Sequence, residues 1–501
     1  MGTPTQPRDG AGAAPAPAGR SPRPLGLRRG GGHDTTSGPI LRVLVALAIP
    51  IVATNVFQSL YQLIDTFWVG RLGAEAVAAV SLSFPILFFM ISAGGGMSIA
   101  GAILVAQTFG ARDQDAVDHA AGQTLGVVTL ISVVLSVMGF VLSAPLVGFF
   151  GPEPSVERLA VEYLEVSFLG LAAVFVYFVF QSLLRGVGDV KTPMIVVAGT
   201  VVLNFFLDPL FILGWGPVPA MGVVGAAWAT IGSQGLAGAV GLVILFSGRY
   251  GIHLRLRHMA PDRALIMKIL RLGIPSSIEQ STRALGIAVM MLLVASFGTT
   301  VIASYGIGAR ILSFVIIPAM GLSMATSTVV GQNVGAMQDQ RAGEAARLGM
   351  AAGFLGLTAA GVLLWLMAEP ITRAFVPGEP EVIVIGTRFM HIMAPAFGFF
   401  GIQMVMSGAL AGAGNTMAAM SLSILSFWVM RFPVAWVLAM PGGLGPDGIF
   451  WSFPISNVLA GVIAVGWFVR GTWIRRVVGP DARLAEAVRE ETIVEEGVGE
   501  G

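Results

Sequence analysis

Twelve stretches of this 501-residue chain are each long and apolar enough to cross a lipid bilayer. A helix rises about 1.5 Å per residue and the hydrocarbon core is about 30 Å thick, so roughly 20 mostly apolar residues span it. Bounded by charged or Gly/Pro-rich breaks, such runs cover about 41–68, 78–107, 121–149, 160–184, 193–214 and 221–247, then 265–295, 301–329, 345–369, 382–410, 417–440 and 447–470. In lipid each backbone N–H and C=O must find a partner within its own segment, so these runs become helices. Charged residues make up only 11% of the chain, against about 25% in a soluble domain. The expected fold is an all-α polytopic membrane protein. Twenty-nine basic residues against 28 acidic ones leave no field to gather DNA or RNA, so no nucleic-acid partner is expected. With no cysteine there is neither a disulfide framework nor a thiolate nucleophile, and five scattered histidines argue against a histidine metal cluster.

Orientation follows from where Lys and Arg fall. Both tails and the loops after spans 2, 4, 6, 8 and 10 hold 22 of the 29 basic residues; the opposite loops hold three, Arg71, Arg158 and Arg373. The basic side is expected to face the cytoplasm, with both termini there, in a multi-pass protein of the cell membrane. Residues 1–39, rich in Gly, Pro, Ala and Arg, read as a disordered cytoplasmic tail. The divisions that follow are an N-terminal six-helix lobe at 40–247, a cytoplasmic linker at 248–264, a C-terminal six-helix lobe at 265–470 and an acidic cytoplasmic tail at 471–501.

The two lobes repeat one another. At a constant offset of 225, Leu47, Ile49 and Pro50 match Leu272, Ile274 and Pro275, Gly73 matches Gly298, and Gln107-x-x-Gly110-Ala111 matches Gln332-x-x-Gly335-Ala336. The offset then drifts by one or two: Gly186-x-Gly188 pairs with Gly412-x-Gly414, and Gly225-x-x-Trp228 with Gly448-x-x-Trp451. Six spans separate equivalent positions, so both halves enter from the same side and the repeat is parallel, with a pseudo-two-fold along the membrane normal. Two six-helix lobes about a central cleft suit alternating access in a secondary transporter, and no Walker-type phosphate loop supplies ATP chemistry.

Ionisable groups at membrane depth cost about 2.5–3.5 kcal/mol each on insertion scales. The N-terminal half carries Asp65 in span 1 and Asp208 in span 5. Tyr61 precedes the first by four residues and Asn204 the second, so each pair shares a helical face. Such oxygen-rich groups suit Na⁺ or a proton. A hydrogen-bond network that merely ties spans together would use the same residues, but mere assembly needs the same glue in both lobes. Opposite Asp65 stands Met290, and opposite Asn204 and Asp208 stand Met430 and Val434. Glu279 and Arg283 in span 7, also four apart, read as a neutralised ion pair or a substrate contact in the cleft. Sixteen of 23 methionines lie in 265–470. Flexible thioethers suit adaptable apolar surfaces, which puts Met290 and Met430 among the cleft candidates. Prolines at 85, 318, 395, 433 and 454 mark expected kinks.

These stretches resemble the multidrug and toxic compound extrusion (MATE) family across all twelve spans. The carriers are Leu47-Ala-Ile-Pro50, Tyr61-Gln-Leu-Ile-Asp65-Thr-Phe-Trp-Val-Gly70, Gln107-Thr-Phe-Gly110-Ala111, Arg185-Gly-Val-Gly188-Asp189-Val-Lys-Thr-Pro193, Asn204-Phe-Phe-Leu-Asp208-Pro209 and Gly225-Ala-Ala-Trp-Ala-Thr230. The resemblance implies export of organic cations and other amphipathic drugs in antiport with Na⁺ or H⁺, with no enzymatic step, no cofactor beyond the coupling ion, and a monomer in the lipid bilayer. By matching motif positions it implies an N-lobe cation site, possible for Na⁺, at Asp65, Asn204, Asp208 and Thr230, with Tyr61 adjacent. Glu279 falls too early in span 7 to match the essential glutamate of another branch. A lipid-linked precursor flippase of the same superfamily is the nearest alternative, and would be expected to add spans or a strongly basic cleft. A major-facilitator-type transporter also has parallel halves, but Gly110-Ala-Arg-Asp113-Gln-Asp115 continues acidic where that class turns basic.

Overall fold

A computed structural model describes residues 34–376 and 378–478. Its spanning helices are α1 (Ile40–Gly70), α2 (Ala74–Gly110), α3 (Gln114–Gly148), α4 (Pro154–Leu169 continued by Leu171–Gly186), α5 (Lys191–Ile212) and α6 (Val223–Ser247). The second set is α7 (Arg263–Ala295), α8 (Thr299–Gly335), α9 (Asp339–Leu366), α10 (Pro380–Gly412), α11 (Thr416–Ala439) and α12 (Pro446–Val469). Among the described residues there is no strand, only an isolated bridge between Trp215 and Val218. The twelve apolar runs therefore become twelve spans, counting the bent α4 as one. Helices overshoot the runs where polar caps allow it. Asp113 accepts from Ala116 N ahead of α3, Asp262 accepts from Ala264 N and Leu265 N ahead of α7, and Asn415 accepts from Ala418 N ahead of α11. Each satisfies an otherwise orphaned first-turn donor.

The repeat reaches into irregular backbone. α4 bends by 52° at Gly170, and at the offset of 225 α10 loosens into a 3-10 turn over Ala394–Ala396, around Pro395. Gly188 and Gly414 both sit at positive φ, 83° and 85°. More telling are Arg112 and Met337, also 225 apart, which hold φ of 59° and 61° although neither is glycine. Two L-residues in so rare a conformation at equivalent turns mark one structural unit used twice. Of the expected kinks, Pro395 adjoins a break and Pro433 follows a π-helical segment at Leu425–Arg431. Pro85, Pro318 and Pro454 lie within continuous helices, where each leaves one carbonyl of the preceding turn without its helical donor.

The lobes meet through symmetry-related pairs, α2 along α7 and α1 along α8. Close approaches at glycine concentrate towards the face that carries both chain ends, called here the tail side. A methyl on Gly96 would strike Ser277, one on Gly273 Met97, and one on Gly321 Val52. At the tail-side ends of α2 and α8 a methyl on Gly110 would run into the Gln332 carbonyl, and one on Gly335 into that of Gln107. Near the far ends Gly70, Gly73, Gly298 and Gly306 have nothing within 4 Å. The lobes are therefore pressed together at the tail side.

Two glutamines stitch this closed seam. Gln107 Nε2 donates across to the Gly412 carbonyl at 3.1 Å, and Gln332 Nε2 donates across to that of Gly186 at 2.9 Å. Each amide oxygen then takes a segment that flanks the spans. Gln332 Oε1 accepts from Thr35 N and Thr35 Oγ1 at 3.2 and 2.7 Å, while Gln107 Oε1 accepts from Val477 N at 3.0 Å. Thr35 and Trp473 are buried, and Arg341 donates to the carbonyls of Thr35, Ser37 and Gly38. The expected disordered tail at 1–39 lies outside the described residues up to 33; residues 34–39 are held by these bonds.

Candidate functional site

Inside the N-lobe, α1, α5 and α6 pack together. α5 brings Asn204 and Asp208 to one face, both fully buried, and Asn204 Nδ2 donates to Asp208 Oδ1 at 2.8 Å. From α1 comes Tyr61, whose hydroxyl lies 3.0 Å from Ser233 Oγ on α6. Ser233 gives its own proton to the Thr230 carbonyl at 3.2 Å, so the phenol is the donor in the first of these bonds. Thr230 thus joins through its backbone. Asp65 is partly buried one turn further along α1. Its charge acts on Asp208, and Tyr163 of α4 lies within electrostatic reach of Asp65, Tyr61 and Asp208.

Three oxygens in this pocket are buried and accept no hydrogen bond: Asp65 Oδ1, Asn204 Oδ1 and Asp208 Oδ2. A buried acceptor without a donor costs about 1–3 kcal/mol, more when charged. Oxygens of this hard kind suit a proton or a small cation.

The C-lobe handles its charges differently. Glu279 Oε1 accepts from Arg283 at 2.5 Å, from Ser407 Oγ at 2.5 Å and from Ser423 Oγ at 3.3 Å. Arg431 is buried, donates to Ser456 Oγ and Asn457 Oδ1, and stacks its guanidinium over Phe427 and Phe453. Glu279 and Arg283 line a cavity of about 100 Å³ between the lobes, together with Arg185 of α4 and Met320, Met324 and Met404. The methionine expectation needs correction in its particulars. Met290 is 3% exposed and packs in the C-lobe core with Leu293, Val294 and Tyr305, and Met430 is partly buried in the π-helical segment; neither lines this cavity.

Sequence reasoning missed Ser233, Tyr163 and Arg185 as parts of these sites. A serine three residues after a motif threonine carries no signal of its own. Arg185 reads as a loop cation, yet it occupies the last turn of α4 and turns inward. Asp189, in the same motif, is a helix cap: it accepts from Lys191 N, Thr192 N and Thr192 Oγ1.

Two six-span lobes in parallel repeat, pressed together at one face, with polar groups buried inside the lobes and a cavity between the two, are the architecture of a membrane transporter. The sequence profile of the MatE family matches residues 50–210 and 275–437, which are the corresponding parts of the two lobes. The chain belongs to the MatE family, in line with curated relatives that carry the name multidrug resistance protein. It is 31% identical over 444 residues to a probable multidrug resistance protein, YpnP, of Bacillus subtilis, covering 88% of this chain and 97% of that one. It is 26% identical over 434 residues to an FAD transporter of Shewanella oneidensis, covering 86% and 94%. Among solved structures, a multidrug resistance MATE transporter in its outward-facing conformation matches with a TM-score of 0.81 and 26% identity, over 88% of this chain and 97% of that one.

Proposed function

We propose that this protein exports amphipathic small molecules, organic cations among them, across the cell membrane in antiport with Na⁺ or H⁺. The observation that carries the reading is the trio of donorless buried oxygens on Asp65, Asn204 and Asp208. Both chain ends face the cytoplasm in this reading, by the excess of basic residues on that side. The closed seam is then cytoplasmic and the cleft opens outward. The protein works as a monomer, makes and breaks no covalent bond, and engages no nucleic acid.

Coupling then follows from the charges. With the cleft open outward and the site empty, two carboxylates share one low-dielectric pocket and repel. A cation arriving from outside binds the orphaned oxygens of Asp65, Asn204 and Asp208, beside the Tyr61–Ser233–Thr230 chain. Pulling these groups together moves α1 against α5 and α6, and α1 also packs along α8 of the other lobe. The cation therefore favours one lobe arrangement over the other, which coupling requires; an ion bound equally in both would shift nothing. Export of the drug is the outward-facing end of that cycle.

The test is dye efflux from proteoliposomes holding purified protein, with Na⁺ and pH gradients imposed separately. Efflux driven by one gradient and lost in Asp65→Asn supports the reading. Undiminished gradient-driven efflux in Asp65→Asn overturns it.

A further inference from the structure

The cavity between the lobes carries a positive surplus. Its ionisable lining residues are Arg185, Arg283 and Glu279, two guanidiniums against one carboxylate. Glu279 is already committed to Arg283, Ser407 and Ser423. Arg185 has no carboxylate: its side chain donates to Ser182 Oγ at 2.9 Å and meets Met324 Sδ at 3.8 Å. A guanidinium has five N–H donors in a planar fork. Those left over open onto the cavity.

The repeat shows that the arginine is not needed to build the seam. By the register that pairs Gly186 with Gly412, the mate of Arg185 is Ala411, which lines the same cavity from the other lobe. Both positions end a helix at the same point of the fold. One does so with a methyl group and the other with a half-buried cation. Arginine serves well for oxyanions, because its fork meets two oxygens at once.

We infer that Arg185 binds an oxyanion, a carboxylate or phosphate on the exported molecule, and so sets the preference for an acid-bearing amphiphile over its neutral or purely cationic counterpart. This rests on the export reading above and adds the residue that sets specificity. At about 100 Å³ the cavity takes a few waters or one acid head, not a whole drug. The apolar body then lies against Met320, Met324 and Met404, whose flexible thioethers adapt to different shapes.

The experiment compares a fluorescent fluoroquinolone bearing a free carboxylate with its ethyl ester, and uses ethidium as a plain cation. Equilibrium binding is measured on detergent-purified full-length protein, and efflux in proteoliposomes. The wild type should bind the free acid at least tenfold more tightly than the ester. Arg185→Gln should erase that difference and leave ester and ethidium affinity within twofold, and Arg185→Lys should restore part of it. Equal wild-type affinity for acid and ester overturns the inference even if no variant folds. Equal loss of all three ligands in folded Arg185→Gln also overturns it, because the arginine then only supports the helix end. Binding that follows the carboxylate, without gradient-driven efflux of any compound, keeps the anion site and removes the export reading instead.

Discussion

The two lobes place polar groups at matching points and finish them in opposite ways. In the N-lobe, Gln58 of α1 donates to Gln181 of α4 at 3.3 Å. At the equivalent points of the C-lobe, Arg283 of α7 reaches Ser407 of α10 at 3.4 Å, with Glu279 neutralising the arginine. Ser233 takes the Tyr61 hydroxyl, and its mate Ser456 takes Arg431 Nε. The first bond ties equivalent helices in both lobes, while the equivalent serines take different partners, from α1 in the N-lobe and from α11 in the C-lobe. What differs is the balance around the ionisable groups inside the spans: Glu279, Arg283 and Arg431 of the C-lobe are met by partners, whereas Asp65, Asn204 and Asp208 of the N-lobe leave three buried oxygens without donors. A saturated network holds a shape. A deficient one has a use for an ion that comes and goes.

The largest effect should come from removing charge on the deficient side. Asp208→Asn, like Asp65→Asn, mimics a permanently protonated carboxyl, and ion-driven efflux should fall to the level of protein-free liposomes. Equilibrium drug binding measured on the same sample should persist. If efflux survives, the contrast between the lobes has no functional meaning.

On the saturated side the loss should appear as stability. Glu279→Gln leaves Arg283 mostly buried without its counter-charge, with only neutral amide and hydroxyl oxygens as partners, which costs about 3 kcal/mol and should lower the melting temperature. Choice between Na⁺ and H⁺ should not change. Replacing the pair together, Glu279→Gln with Arg283→Met, should recover most of that stability. A double variant as unstable as the single one would show that the pair does more than cancel charge.

A smaller change belongs to Tyr61→Phe. It removes one hydrogen bond, worth about 1 kcal/mol, and should weaken the driving ion's half-saturation by roughly fivefold while leaving the melting temperature within a few degrees. Titrating efflux against Na⁺ or pH checks it.

The smallest effect lies on the linker between the lobes. His258 is buried and accepts from Arg257 Nε at 3.0 Å through Nε2, a bond that needs that nitrogen unprotonated. Burial pushes its pKa below the ordinary histidine value, with the neighbouring Arg257 contributing in the same direction. A depressed pKa stabilises the packed linker above the unfolded value near 6.5. That contribution is lost as pH falls towards and through the folded value. Limited proteolysis between residues 249 and 261 should therefore accelerate on going from pH 7.5 to 5, and His258→Gln should lose that dependence. Asp262 behaves differently in the same range. Its carboxyl is held below the usual range by the His119 side chain and by backbone N–H groups of Leu265 and Ala264, so it stays charged.

The spans were legible because hydrocarbon thickness and backbone satisfaction leave few choices for an apolar run of this length. The parallel repeat was legible from spaced glycines and Gln-x-x-Gly-Ala, and the structure gives those letters a physical meaning in a helix contact too close for a side chain. Asp65, Asn204 and Asp208 stood out because carboxylates in apolar runs are costly. Ser233 and Arg185 did not. Hydroxyls are common in membrane helices, and no spacing rule tells whether an arginine at a helix end turns to water or inward. For Met290 and Met430 composition pointed to the right lobe and the wrong side chains, since a thioether fills a core as readily as it lines a cleft. The buried Thr35 and Trp473 lay in segments whose polarity reads as tail.

The contacts of Thr35 and Val477 reach further than anchoring. Each of these two segments rests on a glutamine that also bridges the lobes, so both flanks of the helical body are fastened to the seam that parts in the proposed transport cycle. Whatever is attached close to either segment, whether an affinity tag, a fluorescent reporter or a docking partner, loads that seam. Tagged and untagged protein would then differ in resting conformation as well as in handling, and a protease acting near residues 34–38 would report the opening stroke without any label.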